Sequence, residues 1–439
     1  MSGRRVLGVL IVLLGCQNAQ SGDAQQPTRS AAAPLPPPAA VTPPNPGVRR
    51  TMITDAVARV APAVVSVQTE TVERVAADPF EMYFGGRSGQ RTAAGIGSGF
   101  VIRSDGVIVT NAHVVAGASR VSVALRDGTS YAARVLGADE TNDLAVLKID
   151  ARDLPTAPLG DSNDLLIGEW VIAIGNPYGF LLGNTEPSVT TGVLSATGRN
   201  LVGQAEGGGT YVDMLQTDAS INPGNSGGPL VSAAGEVIGV NSSIYSPSGG
   251  SVGLGFAIPV NRAKRVVEDL LDHGSVRRPW IGVKLAVPEA GTTNREALRA
   301  GAVVRNVVPA SPAAQAGIRP GDMLVRSRNR VLRNWFDWEA ELLELRVGED
   351  VPLVVRRDGA EREVRVRVAD LPEASAPKVQ VLRELELVTL TPAIRAERQT
   401  RTVRGALVVS SSQRVADELG ILAGDVVLQV NRTAIGSAE

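Results

Sequence analysis

The chain has 439 residues, 44 Lys and Arg against 45 Asp and Glu, and one cysteine. A net charge of -1 lacks the basic excess of nucleic-acid-binding proteins, so no nucleic-acid partner is expected. One cysteine and two histidines exclude a disulfide framework and a Cys- or His-rich metal site, and we expect neither metal nor cofactor. The length exceeds one usual hydrophobic core, which predicts about two or three domains.

Residues 1–16, MSGRRVLGVLIVLLGC, have the pattern of an export signal. Arg4 and Arg5 precede an apolar run that is too short to span a bilayer core of ~30 Å as a helix. The sole cysteine, Cys16, follows Leu13-Leu14-Gly15, an arrangement similar to a bacterial lipoprotein signal in which the cysteine is lipidated. We predict a lipid anchor on Cys16; an ordinary cleaved signal peptide is the alternative, and either one exports the chain to the periplasm or cell envelope.

The segment that follows, residues 17–50, carries eight prolines and no apolar periodicity. Proline-rich chain is extended and semi-rigid, at ~3.1 Å per residue. The segment therefore predicts a disordered tether that holds a folded body away from a membrane anchor.

Between Val57 and about Leu271, short apolar runs alternate with turn residues, which is typical of an all-β barrel or sandwich. A helix is predicted at Pro259–His273, capped by Gly274, and residues 69–95 interrupt the strand pattern and predict a long loop. The predicted strands include Ala63–Val67, Gly106–Thr110, Val121–Leu125, Leu144–Ile149, Trp170–Ile174 and Glu236–Val240.

The C-terminal part contains a repeat, AGIRPGD at residues 316–322 and LGILAGD at residues 419–425. Each copy follows an apolar strand that begins with Gly-Ala and precedes an Asn-Arg turn, so the repeat predicts two copies of one small domain. In the first copy a helix follows, with Trp335, Trp338, Leu342 and Leu345 on one face. We interpret this stripe as domain core, with a binding groove as the alternative. The second copy stops before its own helix.

The motif NPGNSGGPL at residues 222–230 places Ser226 among small residues. Small neighbours let a substrate carbonyl approach the hydroxyl and let backbone N–H groups converge on one oxygen. A serine needs a base, and His113, at a strand end, suits that task better than His273 at a helix end. Asp143 begins an apolar strand and is placed to orient the base, whereas Asp218 is interpreted as structural.

The order His, Asp, Ser is that of chymotrypsin-like double β-barrels. The motifs TNAHVV, TNDLAVLKI, AIGNPYG, QTDASINPGNSGGPL and GLGFAIP occur in one order, and with them residues 52–439 resemble the HtrA/DegP-type serine proteases. The resemblance implies a mainly β fold, in which a double six-stranded β-barrel is followed by PDZ domains. It implies His113 as general base, Asp143 as its orienting acid and Ser226 as nucleophile.

The same resemblance implies an oxyanion hole built by Gly224, Asn225 and Ser226. It also implies an ATP-independent endoprotease that acts on misfolded exported proteins and is built on a homotrimer. The expected domains are the protease at residues 51–274, a first PDZ domain at 278–370 and an incomplete second PDZ-like domain at 378–439.

The substrate pocket is expected to be small and apolar. Ser220 lies six residues before the nucleophile, at the pocket base of trypsin-like folds, and its neutral side chain argues against a Lys or Arg preference. Ile221 and Leu254 are expected to line the pocket. We predict cleavage after small aliphatic residues, which are buried in native proteins, so that unfolded proteins become the substrates.

Trp280, Ile281, Gly282 and Val283 resemble the family's carboxylate-binding loop, in which backbone N–H groups hold a peptide C-terminus. The matching residues 384–388 lack the glycine, so residues 378–439 are not expected to bind peptide termini by themselves. Two other functions stay open. One is a holdase chaperone without turnover, and the other is a signalling protease with a single native target.

Overall fold

The computed structural model describes residues 49–75, 89–176, 186–201, 211–222, 224–244, 251–287, 301–381 and 384–439. The predicted signal with Cys16 lies outside these residues, and so does the predicted tether apart from residues 49 and 50. Within the described ranges, none of the helices has the length and apolarity needed to cross a bilayer.

The first described elements form a closed six-stranded antiparallel barrel. Helix α1 (Met52–Val60) begins at Thr51, whose hydroxyl caps it by accepting from the Thr54 backbone, and leads through a 3₁₀ turn at Ala61–Ala63 into the first strand. The order around the barrel is β1-β2-β3-β6-β5-β4. The strands are β1 (Val64–Val75), β2 (Gly89–Arg103), β3 (Val107–Thr110), β4 (Arg120–Ala124), β5 (Ser130–Asp139) and β6 (Leu144–Ile149), with the short helix α2 (Ala112–Val115) after β3.

A second closed barrel repeats the same order of neighbours, β10-β11-β12-β9-β8-β7. Its core is a separate cluster that includes Val171, Leu194 and Leu230, whereas the largest cluster fills the first barrel and continues across the seam between the two. The strands are β7 (Trp170–Gly175), β8 (Ser188–Arg199), β9 (Met214–Thr217), β10 (Pro229–Ser232), β11 (Val237–Ile244) and β12 (Gly255–Pro259).

Helix α3 (Val260–His273) follows the second barrel and packs its apolar face on β5, β6, β11 and β12. It ends where Gly274 adopts a φ of 71° and donates its N–H to the carbonyl of Leu270. The predicted helix and its glycine cap are therefore confirmed, with the start one residue later.

A five-strand path, β14-β15-β16-β18-β19, forms the next sheet, with β14 at its edge. Trp338 on helix α5 is only 1% exposed and lies in the core of this sheet, as the stripe predicted. The elements are β13 (Pro279–Trp280), β14 (Val283–Leu285), β15 (Ala302–Val307), α4 (Pro312–Gln315), β16 (Met323–Ser327), β17 (Arg330–Val331), α5 (Trp335–Glu344), β18 (Asp350–Arg357), β19 (Ala360–Arg367) and β20 (Ala369–Asp370).

Trp335, from the same predicted stripe, does not belong to that core. It stacks on Phe336, and both lie in a small apolar cluster with Val212 of the barrel region. Beside this cluster Arg330 donates to both carboxylate oxygens of Asp213, at 3.2 and 2.9 Å. Helix α5 therefore packs on two sides, one in the core of its own domain and one against the second barrel.

The C-terminal module carries a four-stranded sheet, β21-β22-β23-β24, and a separate two-stranded hairpin. Its core is small and centres on Val388, Ile394 and Leu407. The elements are α6 (Pro372–Ser375), β21 (Lys378–Val381), β22 (Leu385–Thr389), α7 (Pro392–Arg398), β23 (Ala406–Ser411), α8 (Gln413–Leu419), β24 (Val426–Val427), β25 (Gln429–Val430) and β26 (Thr433–Ala434).

Candidate active site

His113 and Asp143 form the ordered centre of the site in the first barrel. Helix α2 begins directly after β3 and projects the imidazole, while Asp143 lies in the turn before β6 with a φ of 53°. The Nδ1 atom of His113 lies 2.8 Å from Oδ1 and 2.9 Å from Oδ2 of Asp143. The Asp143 side chain is 6% exposed and the His113 side chain 42%, so the acid is enclosed and the ring reaches solvent.

Further hydrogen bonds fix the Asp143 turn from both sides. The backbone N–H of His113 donates to Oδ1 at 3.1 Å, and the hydroxyl of Ser242 donates to Oδ2 at 2.8 Å. The side-chain amide of Asn111 donates to the Asp143 carbonyl at 2.8 Å. A carboxylate with this many donors has one orientation, and it holds the histidine ring with Nδ1 toward the acid.

The loop of the candidate nucleophile Ser226 belongs to the second barrel and is hydrogen-bonded to the first. The N–H of Ser98 donates to the Ser226 carbonyl at 2.9 Å, and the Ser98 hydroxyl donates to the Gly224 carbonyl at 2.6 Å. Gly227 has a φ of 84°, and a Cβ atom there would lie 2.2 Å from the Ser98 carbonyl oxygen. Only glycine fits at this close approach of two backbones.

Ser226 lies between the two halves of the site. Its hydroxyl donates to the carbonyl of Ser242 at 3.1 Å, so in this resting state the proton points to the backbone of β11. Ser226, Gly224 and His113 line one groove of about 420 Å³, which is also lined by Thr69 and Ile96. The groove thus exposes the candidate nucleophile and base to a common ligand.

Backbone donors beside Ser226 are available for an oxyanion. Among the described residues, neither the N–H of Gly224 nor that of Ser226 has an acceptor. The N–H of Asn225 instead donates to the Asn222 carbonyl at 3.0 Å. Backbone N–H groups without an acceptor, next to a nucleophile, are the donors that an oxyanion hole requires.

Comparisons with known proteins relate the chain to a protein family. Residues 97–240 match the family of trypsin-like peptidase domains, and residues 279–368 match the PDZ domain. A probable periplasmic serine endoprotease, DegP-like, from Hahella chejuensis is 37% identical over 414 residues, which is 86% of this chain and 84% of that protein. The corresponding Halomonas elongata protein is 37% identical over 417 residues, with 88% and 86% covered.

The chain belongs to the HtrA/DegP family of serine endoproteases. Among solved structures, the HtrA-type protease AlgW with a decapeptide superposes with a TM-score of 0.55 at 37% identity, covering 74% of this chain and 99% of that one. AlgW with a tripeptide gives the same TM-score at 38% identity, with 74% and 98% covered. The fold is therefore mainly β, with two six-stranded barrels followed by PDZ-like sheets, and the enzyme is a trypsin-like serine endopeptidase.

In this HtrA-type protease the predicted pocket residues lie close to the nucleophile loop. Ile221 is 1% exposed and packs in the core of the second barrel, where a Cβ on Gly255 would lie 2.9 Å from it. The Ser220 carbonyl accepts from Thr190 at 2.7 Å, and Leu254 is half-buried against the large core cluster. Asp218 accepts the N–H of Val193 at 2.7 Å, a structural contact away from His113.

The predicted carboxylate-binding loop of the HtrA-type protease leads into the edge strand β14. Gly282 has a φ of 80°, and its carbonyl accepts the N–H of Val308 at 2.8 Å. Among the described residues, the N–H groups of Ile281 and Gly282 have no acceptor. The loop therefore presents free backbone donors at the open edge of a sheet.

Two other predicted positions lie apart from this site. His273 is exposed at the end of helix α3, consistent with a structural residue. The described part of the chain holds no cluster of three His, Cys, Asp or Glu side chains that fits a metal ion.

Sequence reasoning missed the supporting residues Ser98, Asn111 and Ser242. Asn111 lies within the motif TNAHVV, two residues before the histidine, and was therefore within reach of the motif analysis. Ser98 and Ser242 are single serines in strands β2 and β11, and no local pattern marks them. Their roles arise from contacts between distant segments, which no local pattern specifies.

Proposed function

We propose that this HtrA-type protease is an ATP-independent endoprotease for misfolded or stress-damaged exported proteins, and that His113, Asp143 and Ser226 are its catalytic triad. The observation that carries the proposal is the enclosed Asp143 carboxylate on Nδ1 of His113, at 2.8 and 2.9 Å, in one groove with Ser226. A non-catalytic scaffold needs no such ordered acid behind an exposed imidazole.

The chemistry follows from these positions. As a substrate strand fills the groove, the Ser226 hydroxyl turns from the Ser242 carbonyl to Nε2 of His113. The imidazole accepts the proton while Oγ attacks the scissile carbonyl, and Asp143 stabilises the imidazolium through Nδ1. The N–H groups of Gly224 and Ser226 hold the oxyanion.

The protonated imidazole next donates its proton to the leaving amine, and the peptide C–N bond breaks to give an acyl-enzyme at Ser226. Water then attacks the acyl carbonyl with His113 as base, and the proton returns to Oγ as the ester bond breaks. Each half-reaction uses the same base and the same two backbone donors.

We propose that cleavage follows small aliphatic residues. None of Ser220, Ile221 and Leu254 carries a charge that selects Lys or Arg. Ile221 is buried, so in this proposal the partly buried Ser220 and Leu254 form the accessible wall of the pocket. Aliphatic residues are buried in folded proteins, so this preference restricts the enzyme to unfolded chains.

For the first PDZ domain, residues 278–370, we propose binding of peptide C-termini. The free N–H groups of Ile281 and Gly282 suit a terminal carboxylate, with Trp280 and Val283 completing the loop. The Gly282 carbonyl already bonds Val308, so the alternation of an antiparallel ladder leaves both backbone groups of Val283 facing the open edge. A peptide can add there as a further strand.

We further propose a periplasmic, membrane-anchored enzyme. In this proposal, residues 1–16 are a lipoprotein-type signal peptide, Cys16 carries the lipid, and residues 17–50 are the tether. Residues 51–274 form the protease domain, and residues 378–439 form an incomplete second PDZ-like domain. The relatives named above are described as periplasmic, which supports the location.

A homotrimer of protease domains is the assembly that we propose. Leu166, Ile167 and Trp170 expose 69%, 68% and 49% of their surface around the start of β7, an apolar patch that suits contact with a second copy. The patch lies outside the groove that holds Ser226. Self-association through it therefore leaves substrate access open.

The decisive test is digestion of reduced, unfolded casein without ATP, with mass spectrometry of the cut sites. Wild-type enzyme is expected to cleave after Val, Ala or Ile, and Ser226→Ala is expected to lose at least about a thousandfold in rate. If Ser226→Ala still cleaves casein, Ser226 is not the nucleophile. If wild-type enzyme cleaves nothing but keeps casein soluble, the holdase function replaces the protease function.

A further inference from the structure

The C-terminal module contacts the first PDZ domain beside its carboxylate-binding loop. The indole N–H of Trp280 donates to Oε2 of Glu397, on helix α7, at 2.8 Å. The ammonium of Lys284, on β14, donates to the main-chain carbonyl of Glu397 and lies 3.4 Å from its Oε1. The Glu397 side chain is only 16% exposed, so this carboxylate is held in a defined place.

Helix α7 is fixed there by contacts on both sides. Arg398, the next residue, donates to both carboxylate oxygens of Glu373 at 2.7 Å, which ties α7 to the connecting helix α6. On the other side, Lys284 of β14 bonds the Glu397 carbonyl, beside an open seam of about 470 Å³ between β15 and Arg395 of α7. Glu397 is thus part of a packed junction rather than a mobile surface group.

The position of Glu397 relative to the edge strand decides what it can do. Val283 and Leu285 face the core of the first PDZ domain, so Lys284, between them, points to the opposite face of the sheet. Glu397 lies on that face, with its carboxylate on Lys284. A peptide strand added to β14 places every second side chain on the same face.

A peptide that ends in an apolar residue directs that terminal side chain to the core face, beside Val283. Its penultimate side chain then faces Lys284 and Glu397. There the carboxylate of Glu397 accepts from Lys284 and from the N–H of Trp280, and the ammonium of Lys284 keeps at most one N–H for a ligand. An acidic side chain must compete with Glu397 for Lys284 and is repelled by its carboxylate, whereas a basic side chain can bind the remaining lone pairs of Glu397.

We propose that Glu397 of the C-terminal module is a specificity determinant of the first PDZ domain, selecting basic and rejecting acidic penultimate residues. This inference rests on the proposed binding of peptide C-termini at residues 280–283. It gives the incomplete second repeat a task that needs no peptide site of its own.

The test uses the full chain carrying Ser226→Ala, so that peptides are bound and not cut. Fluorescence anisotropy measures three labelled peptides that share an apolar terminal residue and differ only in a penultimate Lys, Gln or Glu. We expect the Lys peptide to bind roughly fivefold more tightly than the Glu peptide at low salt, with the difference fading as salt is added.

Two variants of the same ion pair separate selection from simple packing. Glu397→Gln frees Lys284 and is expected to abolish or reverse the preference. Lys284→Gln leaves the carboxylate without its cation and is expected to increase the preference. If the two substitutions only detached helix α7, the preference for the Lys peptide would change in the same direction in both variants. That outcome contradicts the inference.

Glu384→Gln is the matched control, because it breaks the bidentate pair with Arg414 elsewhere in the same module. It is expected to keep the wild-type preference, and circular dichroism checks that each variant is folded. Equal affinities for the Lys and Glu peptides overturn the assignment of Glu397. Failure of every peptide to bind overturns the proposed peptide site, and the inference with it.

Discussion

The hydroxyl of Ser242 donates a hydrogen bond of 2.8 Å to Oδ2 of Asp143, across the seam between the two barrels. Asp143 precedes β6 of the first barrel, and Ser242 lies on β11 of the second. One serine thus supports the acid through its side chain and holds the Ser226 hydroxyl through its carbonyl.

Replacing Ser242 with alanine removes the side-chain bond and leaves the carbonyl in place. We expect kcat for a peptide substrate to fall about ten- to a hundredfold with little change in KM, because a hydrogen bond to a charged group orients the base. Ser375→Ala, which removes side-chain bonds to the carbonyls of Leu371 and Pro372 outside the protease barrels, is the control. A wild-type kcat in Ser242→Ala contradicts the positioning role.

Two glycines with nearly the same backbone allow a matched test of the nucleophile loop. Gly227 has a φ of 84° and Gly128 a φ of 86°, but a Cβ on Gly227 would meet the Ser98 carbonyl at 2.2 Å, and one on Gly128 meets nothing within 4 Å. Gly227→Ala is expected to abolish proteolysis. Gly128→Ala is expected to cost about 1 kcal/mol of unfolding free energy and keep activity. Equal losses in the two variants contradict this steric argument.

The buried carboxylate of Asp322 makes the stability of the protein depend on pH. Arg357 donates to both of its oxygens at 2.7 Å, and this guanidinium lowers the pKa of Asp322 from its ordinary value. A lowered pKa in the folded state stabilises the protein above the ordinary pKa, and the contribution is lost as pH falls through the lowered pKa.

Asp322→Asn is therefore expected to reduce the unfolding free energy by about 2–4 kcal/mol at neutral pH. The difference in unfolding free energy between the variant and the wild type should become smaller below the ordinary aspartate pKa of about 3.9. Urea unfolding of both proteins at several pH values measures this difference. Asp350→Asn, which removes an exposed pair with Arg367, is the control and should cost at most about 1 kcal/mol. A gap that widens in acid contradicts the prediction.

Trp170 tests the proposed trimer contact. Trp170→Glu places a charge in the exposed apolar patch with Leu166 and Ile167, and should shift the mass seen in sedimentation from trimer toward monomer. Val331→Glu is the control, because Val331 is also exposed, at 52%, but lies on β17. If the trimer is lost only in the control, or in neither variant, the patch around Trp170 is not the trimer contact.

Cys16→Ala tests the lipid anchor. The substitution removes the sole thiol, and we expect the protein to move from the membrane fraction to the soluble fraction of the cell envelope. The unsubstituted chain, fractionated in parallel, is the control. Retention of Cys16→Ala in the membrane fraction contradicts a lipoprotein.

In the first barrel, the sequence pattern predicted the bounds of a strand best where the strand is buried on both faces. The strand Leu144–Ile149 has the predicted bounds, because an unbroken apolar run between turns leaves little choice. The prediction of a loop over residues 69–95 was partly wrong. Strands β1 and β2 pair as far as Val75 and Gly89, and their sequences there are rich in polar residues, so no clear apolar alternation marks them.

The candidate triad was visible in the sequence because each member lies in its own long motif. The loop around Ser226 was not predictable to the same depth. Its support comes from Ser98, about 130 residues earlier in the chain, through bonds to two carbonyls that only the packing of the barrels brings together.

The division of the site between two barrels has a consequence for the newly made enzyme. His113 and Asp143 come from one folding unit and Ser226 from the other, so neither unit alone contains a base beside a nucleophile. With the proposed triad divided in this way, hydrolysis requires both barrels to be folded and docked. A chain in which only one barrel has formed therefore has no proteolytic activity at this site.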